Sequence, residues 1–313
     1  MLISFKMSAS TYIFSLSKAK RQGRKLKPYD LNGHPKFKSK DETIPKFYTR
    51  NDSLYFQEDC AVLEKIGKVK FQTDLEIPIV SRRKDNKTTF INSRIKYENG
   101  KWILSFGIER ENAKQELNDF SVGIDLGVKD LAVCSNGLII KSVNKTNRVK
   151  KLEKRLQRKQ RNVSRKYQTN GSFEKTSGID KEKAKVKDLS RKLANIRLDH
   201  THKATRQIID LLPKKVVMED LNVTGMMKNK HLSRAIQNQM FSKFKEQIEY
   251  KAEWAGIEYI EAERFYPSSK KCSVCGNIKK ELKLRERIYE CDVCGLKINR
   301  DLNAARNLER LAM

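Results

Sequence analysis

The chain has 313 residues and carries 67 Lys and Arg against 38 Asp and Glu, a formal net charge of +29. That excess is beyond what solubility requires and predicts a polyanionic partner whose binding weakens with salt. No apolar run nears the about 20 residues of a membrane span, no good signal peptide opens the chain, and the six cysteines do not form a secreted disulfide framework. A membrane partner is thereby set aside, and the expected location is the cytoplasm, in association with the nucleoid.

The length allows two or three domains. Residues 1–33 form a polar, basic segment, with Lys18, Lys20, Arg21, Arg24, Lys25 and Lys27 clustered and no clear periodicity. From 34 to 118 the signals are β. Short candidates are Lys46-Phe47-Tyr48-Thr49, Ser53-Leu54-Tyr55-Phe56, Ala61-Val62-Leu63, Val69-Lys70-Phe71 and Thr88-Thr89-Phe90-Ile91. Two longer runs, Ser93–Tyr97 and Trp102–Ile108, flank Asn99-Gly100, the strongest hairpin signal in the chain. Many short strands separated by turns predict an antiparallel barrel or sandwich. Its interleaved aromatic and charged residues suit either a nucleic-acid surface or the wet face of a sheet.

A second β region opens at Phe120. The run to Leu126 passes through Asp125 into a glycine turn at Gly127, and another apolar run reaches Val133. Asp125 therefore sits on the first strand of a hairpin. A third strand is expected at Leu138-Ile139-Ile140. The chain then turns helical. Residues 145–166 hold eleven Lys or Arg and one acid, Glu153, around a thin stripe of Leu152, Leu156 and Val163. Gly171, Ser172 and Gly178 mark a break. A longer helix from 181 to 212 carries Leu189, Leu193, Ile196, Ala204, Ile208 and Leu211 at helical spacing. The stretch 145–212 thus reads as a helical hairpin inserted between strands. Eleven cations against one acid self-repel without a polyanion. The expected nucleic-acid contacts are Lys150, Lys151, Lys154, Arg155, Arg158, Lys159, Arg161, Arg165 and Lys166; a solvated face is the plainer alternative.

Pro213 closes that helix. Lys215–Leu221 is a short buried strand ending in Glu219 and Asp220, and Gly225 begins a loop. A helix over 233–255 turns Ile236, Met240, Phe244, Ile248 and Tyr250 or Ala252 inward, Gly256 stops it, and Ile257–Glu261 is the next strand. Within 268–297, Cys272-Ser-Val-Cys275-Gly276 and Cys291-Asp-Val-Cys294-Gly295 are fifteen residues apart. Two such knuckles put four thiolates on two tight turns and close a tetrahedral structural Zn²⁺ site. Such a site contributes on the order of 10 kcal/mol to the folding of a small module. Cys60 and Cys134 stand alone, and the last helix begins at Asn299-Arg300-Asp301.

Asp125 and Glu219 lie on strands that read as sheet neighbours, and Asp301 opens a helix able to pack on that sheet. Three carboxylates at one spot repel unless they hold divalent cations. Two Mg²⁺ ions about 4 Å apart stabilise the attacking and leaving oxygens of phosphodiester cleavage. Plainer readings remain open from the residues alone: Asp125 marks a strand end, and Asp301 is an N-cap. Asp130, Asp220 and Glu261 are not expected to be ligands.

Four motifs stand in order: Gly123-Ile-Asp125-Leu-Gly127-Val-Lys-Asp130-Leu-Ala, Val217-Met-Glu219-Asp220-Leu-Asn222, the paired Cys-x-x-Cys-Gly, and Asn299-Arg300-Asp301-Leu-Asn303-Ala-Ala-Arg-Asn307. As a set they resemble the TnpB family, the OrfB proteins of bacterial insertion sequences and relatives of the compact type V CRISPR effector nucleases. The resemblance covers residues 34–313. It implies an α/β RNase H-like (RuvC) nuclease domain over 119–313, carrying the helical insertion and a zinc ribbon. An incomplete antiparallel β-barrel of the oligonucleotide-binding type, over 34–118, would precede it. It further implies Mg²⁺-dependent DNA cleavage directed by a guide RNA from the transposon end. Asp125, Glu219 and Asp301 match the catalytic carboxylates, and Cys272, Cys275, Cys291 and Cys294 the zinc ligands. Arg300 and Asn303 would be supporting residues by position. In the family a strand and a helical region precede the barrel, whereas here Gly33–Lys38 already resembles a mid-barrel run, so the chain is expected to be N-terminally short. Two other functions are carried beside the endonuclease: a non-cleaving DNA- or RNA-binding regulator, and a DNA strand-joining transposase.

Overall fold

The computed structural model describes residues 45–50, 54–57, 59–73, 90–98, 101–108, 115–169, 177–283 and 285–312. The chain divides into two compact units, residues 1–111 and 112–313. The expected basic segment 1–33, the Asn99-Gly100 turn and the break at Gly171 and Ser172 lie outside the described residues.

The first unit contains β1 (Lys46–Tyr48), β2 (Tyr55–Gln57), β3 (Cys60–Leu63), β4 (Gly67–Lys70), β5 (Phe90–Glu98) and β6 (Lys101–Ile108). Antiparallel pairing gives two three-stranded sheets, β2-β3-β4 and β1-β5-β6. Glu98 pairs with Lys101, closing the hairpin that Asn99-Gly100 signals. On β5 the alternation sends Phe90, Ser93 and Ile95 inward and Arg94 and Lys96 outward. Phe56 packs edge-on against Phe71 and Phe90, each at 5.4 Å, and with Leu54, Leu63 and Ile95 these rings form the core. Among the described residues this is a pair of sheets around one aromatic core, without the closed ring of strands of a barrel.

The second unit runs β7 (Asn118–Leu126), β8 (Asp130–Cys134), β9 (Ile139–Lys141), α1 (Asn147–Thr169), α2 (Ser177–Ile209), β10 (Pro213–Glu219), α3 (Val223–Met227), α4 (Ser233–Gln239), α5 (Phe241–Ala255), β11 (Glu258–Ala262), β12 (Ile288–Glu290), β13 (Lys297–Asn299) and α6 (Arg300–Glu309). Its main sheet has the order β11-β10-β7-β8-β9. β7, β8 and β9 are an antiparallel meander joined by short turns, while β10 is parallel to both β7 and β11. A parallel neighbour needs a crossover, and α1 with α2 supply one and α5 the other. The central strands are apolar on both faces, as sheet strands covered on both sides must be. Val122, Ile124, Val216 and Met218 pack with Ala204 and Ile208 of α2 and Phe244, Ile248 and Ala252 of α5. On the other face Val217 and Ala262 pack with Leu308 of α6 and Ala312.

Four expectations are corrected. The second long helix begins at Ser177, with Gly178 inside its first turn; the fully buried Ile179 outweighs the cost of about 1 kcal/mol for a helical glycine. Its helical run stops at Ile209, Leu212 takes φ 49, and Pro213 opens β10. The run after Leu221 is helical because Asn222 caps it, its Oδ1 accepting from the Gly225 amide at 2.8 Å. Residues 233–255 form two helices, parted by Met240 at φ 57, which leaves Met240 only half-buried and brings Phe241 and Gln239 inside. Among the described residues, no helix is long and apolar enough to cross a membrane.

Candidate active site and metal centre

Asp125 is the penultimate residue of β7, and Glu219 ends β10. The strands are parallel neighbours in the register Gly123↔Val217 and Ile124↔Met218, so Asp125 and Glu219 are the next positions on each. Parallel strands carry their carboxyl ends to the same edge of the sheet, where ligands of open α/β sheets collect. Asp301 arrives on the first turn of α6. That helix lies directly on β7, because at Gly123 a Cβ would meet the Ala305 carbonyl oxygen at 2.0 Å and the Glu309 nitrogen at 2.5 Å. A glycine is therefore required two residues before Asp125 for α6 to come close.

Electrostatics registers the convergence. Asp125 as a residue is partly exposed, but its carboxyl is crowded by protein, and desolvation pushes it well above its ordinary range. The charges of Glu219 and Asp301 push it up further, while Arg300 and Arg287 oppose them. Desolvation raises Glu219 as well. Arg287 Nη1 stands 3.8 Å from Asp301 Oδ1. Sequence reasoning passed over Arg287 because it is one of many cations between the cysteine pairs. Asp301 is not the N-cap of its helix. Asn299 holds that place, its Oδ1 accepting from the Asp301 amide at 2.9 Å and the Leu302 amide at 3.2 Å, which leaves the Asp301 carboxylate for other work. Of the acids set aside, Asp220 accepts from Arg264 Nε at 2.7 Å, Glu261 pairs with Lys245, and Asp130 opens β8. A cleft of about 360 Å³ opens beside Glu219, lined among others by Leu126, Asn222, Lys245 and Arg264.

The four cysteines are gathered more tightly. Their Sγ atoms all lie within 4.8 Å of one another, and among the described residues they are the one such group of metal-ligating side chains. Cys272 to Cys294 and Cys275 to Cys291 are each 3.6 Å between sulfurs. A tetrahedron with metal–sulfur bonds of about 2.3 Å has edges of about 3.8 Å, so the quartet fits zinc. The knuckles are built alike. The Gly276 amide donates to the Cys272 carbonyl and the Gly295 amide to the Cys291 carbonyl, each at 3.0 Å, with φ of 76° and 69° that favour glycine. Backbone amides of Cys294 and Val293 hold the Cys291 thiol down at about 6, which favours the ligating thiolate.

The ribbon is bolted to the helix of the third acid. Asn303, fully buried, accepts from the Ser273 amide at 3.0 Å and donates to the Lys271 carbonyl at 2.7 Å. Asn307, one turn on, donates to the Ser268 and Lys271 carbonyls at 2.8 and 2.6 Å. Asn303 thus acts on the first knuckle rather than on the acids. Asn307 was missed, although two asparagines at i and i+4 on one helix face were its signal. Arg300 Nη1 reaches the Lys283 carbonyl at 3.3 Å.

The basic helical hairpin is α1 with α2. Lys150, Lys151, Lys154, Arg155, Arg158, Arg161, Arg165 and Lys166 are exposed along α1. Lys159 differs: it is half-buried and pairs with Glu182 of α2 at 3.1 Å, where Lys185 joins it at 2.8 Å. Glu153, the sole acid of 145–166, accepts from Arg197 of α2 at 2.7 Å.

Residues 241–308 match the family model described as "Cas12f1-like, TNB domain", and residues 103–230 match "Probable transposase", the OrfB_IS605 family. A "Putative RNA-guided DNA endonuclease" of Streptomyces pristinaespiralis is 32% identical over 209 residues, covering 67% of this chain and 49% of its own. The "Putative RNA-guided DNA endonuclease InsQ" of Escherichia coli K12 is 29% identical over 290 residues, 88% of this chain and 67% of its own. A solved CRISPR-Cas12f ternary complex superposes over 72% of this chain and 46% of its own, at 21% identity and a TM-score of 0.49. The chain therefore spans only about half the length of the Streptomyces relative.

Proposed function

The chain belongs to the TnpB (OrfB) family of insertion-sequence proteins, and from that premise we propose that it is an RNA-guided DNA endonuclease. The observation that carries this is the electrostatic convergence of Asp125, Glu219 and Asp301, supplied by two parallel strands and one helix. On this reading the main sheet and its covering helices are an RNase H-like domain over 119–313, and residues 34–118 are an oligonucleotide-binding domain. The partners are a target DNA and a guide RNA from the transposon end, in the nucleoid.

Carboxylates are hard oxygen donors, and three of them on a desolvated site suit magnesium. Asp125, Glu219 and Asp301 would hold it, and the chemistry it would supply there is activation of water and stabilisation of the attacking and leaving oxygens of the phosphodiester. The chain's own residues do the rest. Glycine at 123 lets α6 bring its acid to the strand ends. Arg287 and Arg300 temper the repulsion among the acids. The exposed cations of α1 hold phosphates by charge, while base pairing with the guide selects the sequence. The cysteines would hold a structural zinc that fixes the ribbon, and Asn303 and Asn307 tie that ribbon to the helix of Asp301.

The deciding experiment is cleavage of labelled DNA by the protein with its co-purified RNA, in Mg²⁺ and in EDTA, beside Asp125→Ala. Mg²⁺-dependent cutting lost in the variant supports the reading. Tight binding without cutting in Mg²⁺ would leave a regulator, and joined product strands a transposase.

A further inference from the structure

A polar network behind the Asp125 turn has no part in the roles above. Its centre is Gln239, the last residue of α4, swung inward by the left-handed Met240 and only 5% exposed. Its Nε2 donates to the Val128 carbonyl at 2.7 Å and the Gly127 carbonyl at 3.3 Å. Its Oε1 accepts from Ser142 Oγ at 2.9 Å and Asn144 Nδ2 at 3.3 Å. Gly127 and Val128 are the second and third residues after Asp125, in the turn that closes the β7–β8 hairpin. The network continues outward. Asn144 Oδ1 accepts from Arg197 Nε at 2.7 Å, Arg197 Nη2 donates to Glu153 at 2.7 Å, and Asn238 Nδ2 reaches Glu153 at 3.3 Å.

A primary amide carries two donor hydrogens and an acceptor oxygen with two lone pairs in one plane, and here each side is matched. Two carbonyl oxygens face the donors, and a hydroxyl and an amide face the acceptor. A carboxylate in the same place has no hydrogen to give. The turn it holds sets where β7 ends, and so how firmly Asp125 is presented. Changing a group beyond a ligand that fixes its orientation typically costs about 10- to 100-fold in metal affinity or activity. At the far end lies Glu153, an acid otherwise out of place in a cationic helix.

Resting on the nuclease reading, we infer that Gln239 is a positioning residue for Asp125. It clamps the 127–128 turn, and the Glu153–Arg197 pair anchors that clamp to the basic hairpin.

The test compares wild type with Gln239→Glu, which keeps the shape and turns two donors into an acceptor, and Gln239→Met, which removes polarity without repulsion. Mg²⁺ binding is followed by calorimetry, single-turnover cleavage at saturating DNA across Mg²⁺ concentrations, and DNA affinity, zinc content and melting alongside. Gln239→Glu is expected to need about 10-fold or more extra Mg²⁺ for half-saturation and to cut about 10- to 100-fold more slowly. DNA affinity and zinc content stay at wild-type values, and Gln239→Met changes in the same direction by less. Wild-type Mg²⁺ dependence and rate in both variants would overturn the inference, as would rate losses no larger than the loss of folded protein. If Gln239→Glu fails to fold, Gln239→Met alone decides. A wild type that neither binds Mg²⁺ nor cuts defeats the nuclease reading itself; a wild type that cuts, beside variants that cut equally well, defeats only the positioning role.

Discussion

The two candidate metal centres are built on opposite terms. The cysteine quartet is local: two copies of one knuckle turn bring four sulfurs within 4.8 Å. The carboxylate centre is assembled from afar, on β7, β10 and α6, and its members oppose one another. Burial and like charge push Asp125 up, and burial pushes Glu219 up. On the proposed reading a zinc ion in the first would stabilise the fold around it, while a cation in the second would relieve a strain that the carboxylates put on the fold. They meet at α6, where Asn303 and Asn307 clasp the ribbon and Asp301 faces the sheet.

The sharpest test of that contrast is Asp125→Asn. Cleavage should fall by more than about 100-fold, a loss even an outer partner of a metal ligand can cause. In EDTA, however, the variant should melt higher than wild type. The sign follows from the raised carboxyls: the stabilisation that goes with their protonated forms is present below the ordinary carboxylate range and is lost as pH rises through their higher folded values. Melting curves in EDTA at several pH values check this, and added Mg²⁺ should stabilise wild type more as pH rises. An Asp125→Asn protein less stable than wild type in EDTA at neutral pH would break the contrast.

Removing zinc is the complementary experiment. Stripping it, or making Cys291→Ser, should unfold the ribbon and abolish cleavage although no carboxylate is touched, since such sites contribute on the order of 10 kcal/mol. Zinc release followed beside circular dichroism and cleavage shows whether the losses coincide. A smaller effect is expected of Gly123→Ala, where a methyl meets the α6 backbone. Stability should fall by about 1–3 kcal/mol, the usual cost of overpacking, and Mg²⁺ affinity more steeply, because Asp301 is moved from its partners. The smallest concerns the basic hairpin. Hydrogen bonds from Lys185 and Lys159 hold Glu182 down at about 2. Its contribution is present above the ordinary carboxylate range and fades as pH falls through about 2. Glu182→Gln should therefore melt lower than wild type at pH 7 and alike near pH 2.

What the sequence made legible follows the same divide. The knuckles could be read from spacing because a zinc site is written within a few residues. The acids could be read only as strand and helix ends plus a motif order, since the β7–β10 register that pairs Asp125 with Glu219 is tertiary. Asn303 was visible but its task was not, because the carbonyl and the amide it clasps belong to a segment about thirty residues away. The break at Met240 defeated the periodicity of 233–255, because a helical stripe survives a single left-handed residue. Lys159 shows the limit of composition: in a run of cations, pairing with Glu182 is fixed by the neighbouring helix.

The parallel pairing of β7 with β10 sets Ser121 beside Lys215, across the whole helical hairpin. Contacts so distant in sequence close late, after the loop between them has lost its freedom. The α1–α2 hairpin is made of local contacts and has no such delay. On the proposed reading, a chain still folding would present its basic hairpin to nucleic acid before its two acidic strand ends meet, because those ends come together only when the sheet around them is complete.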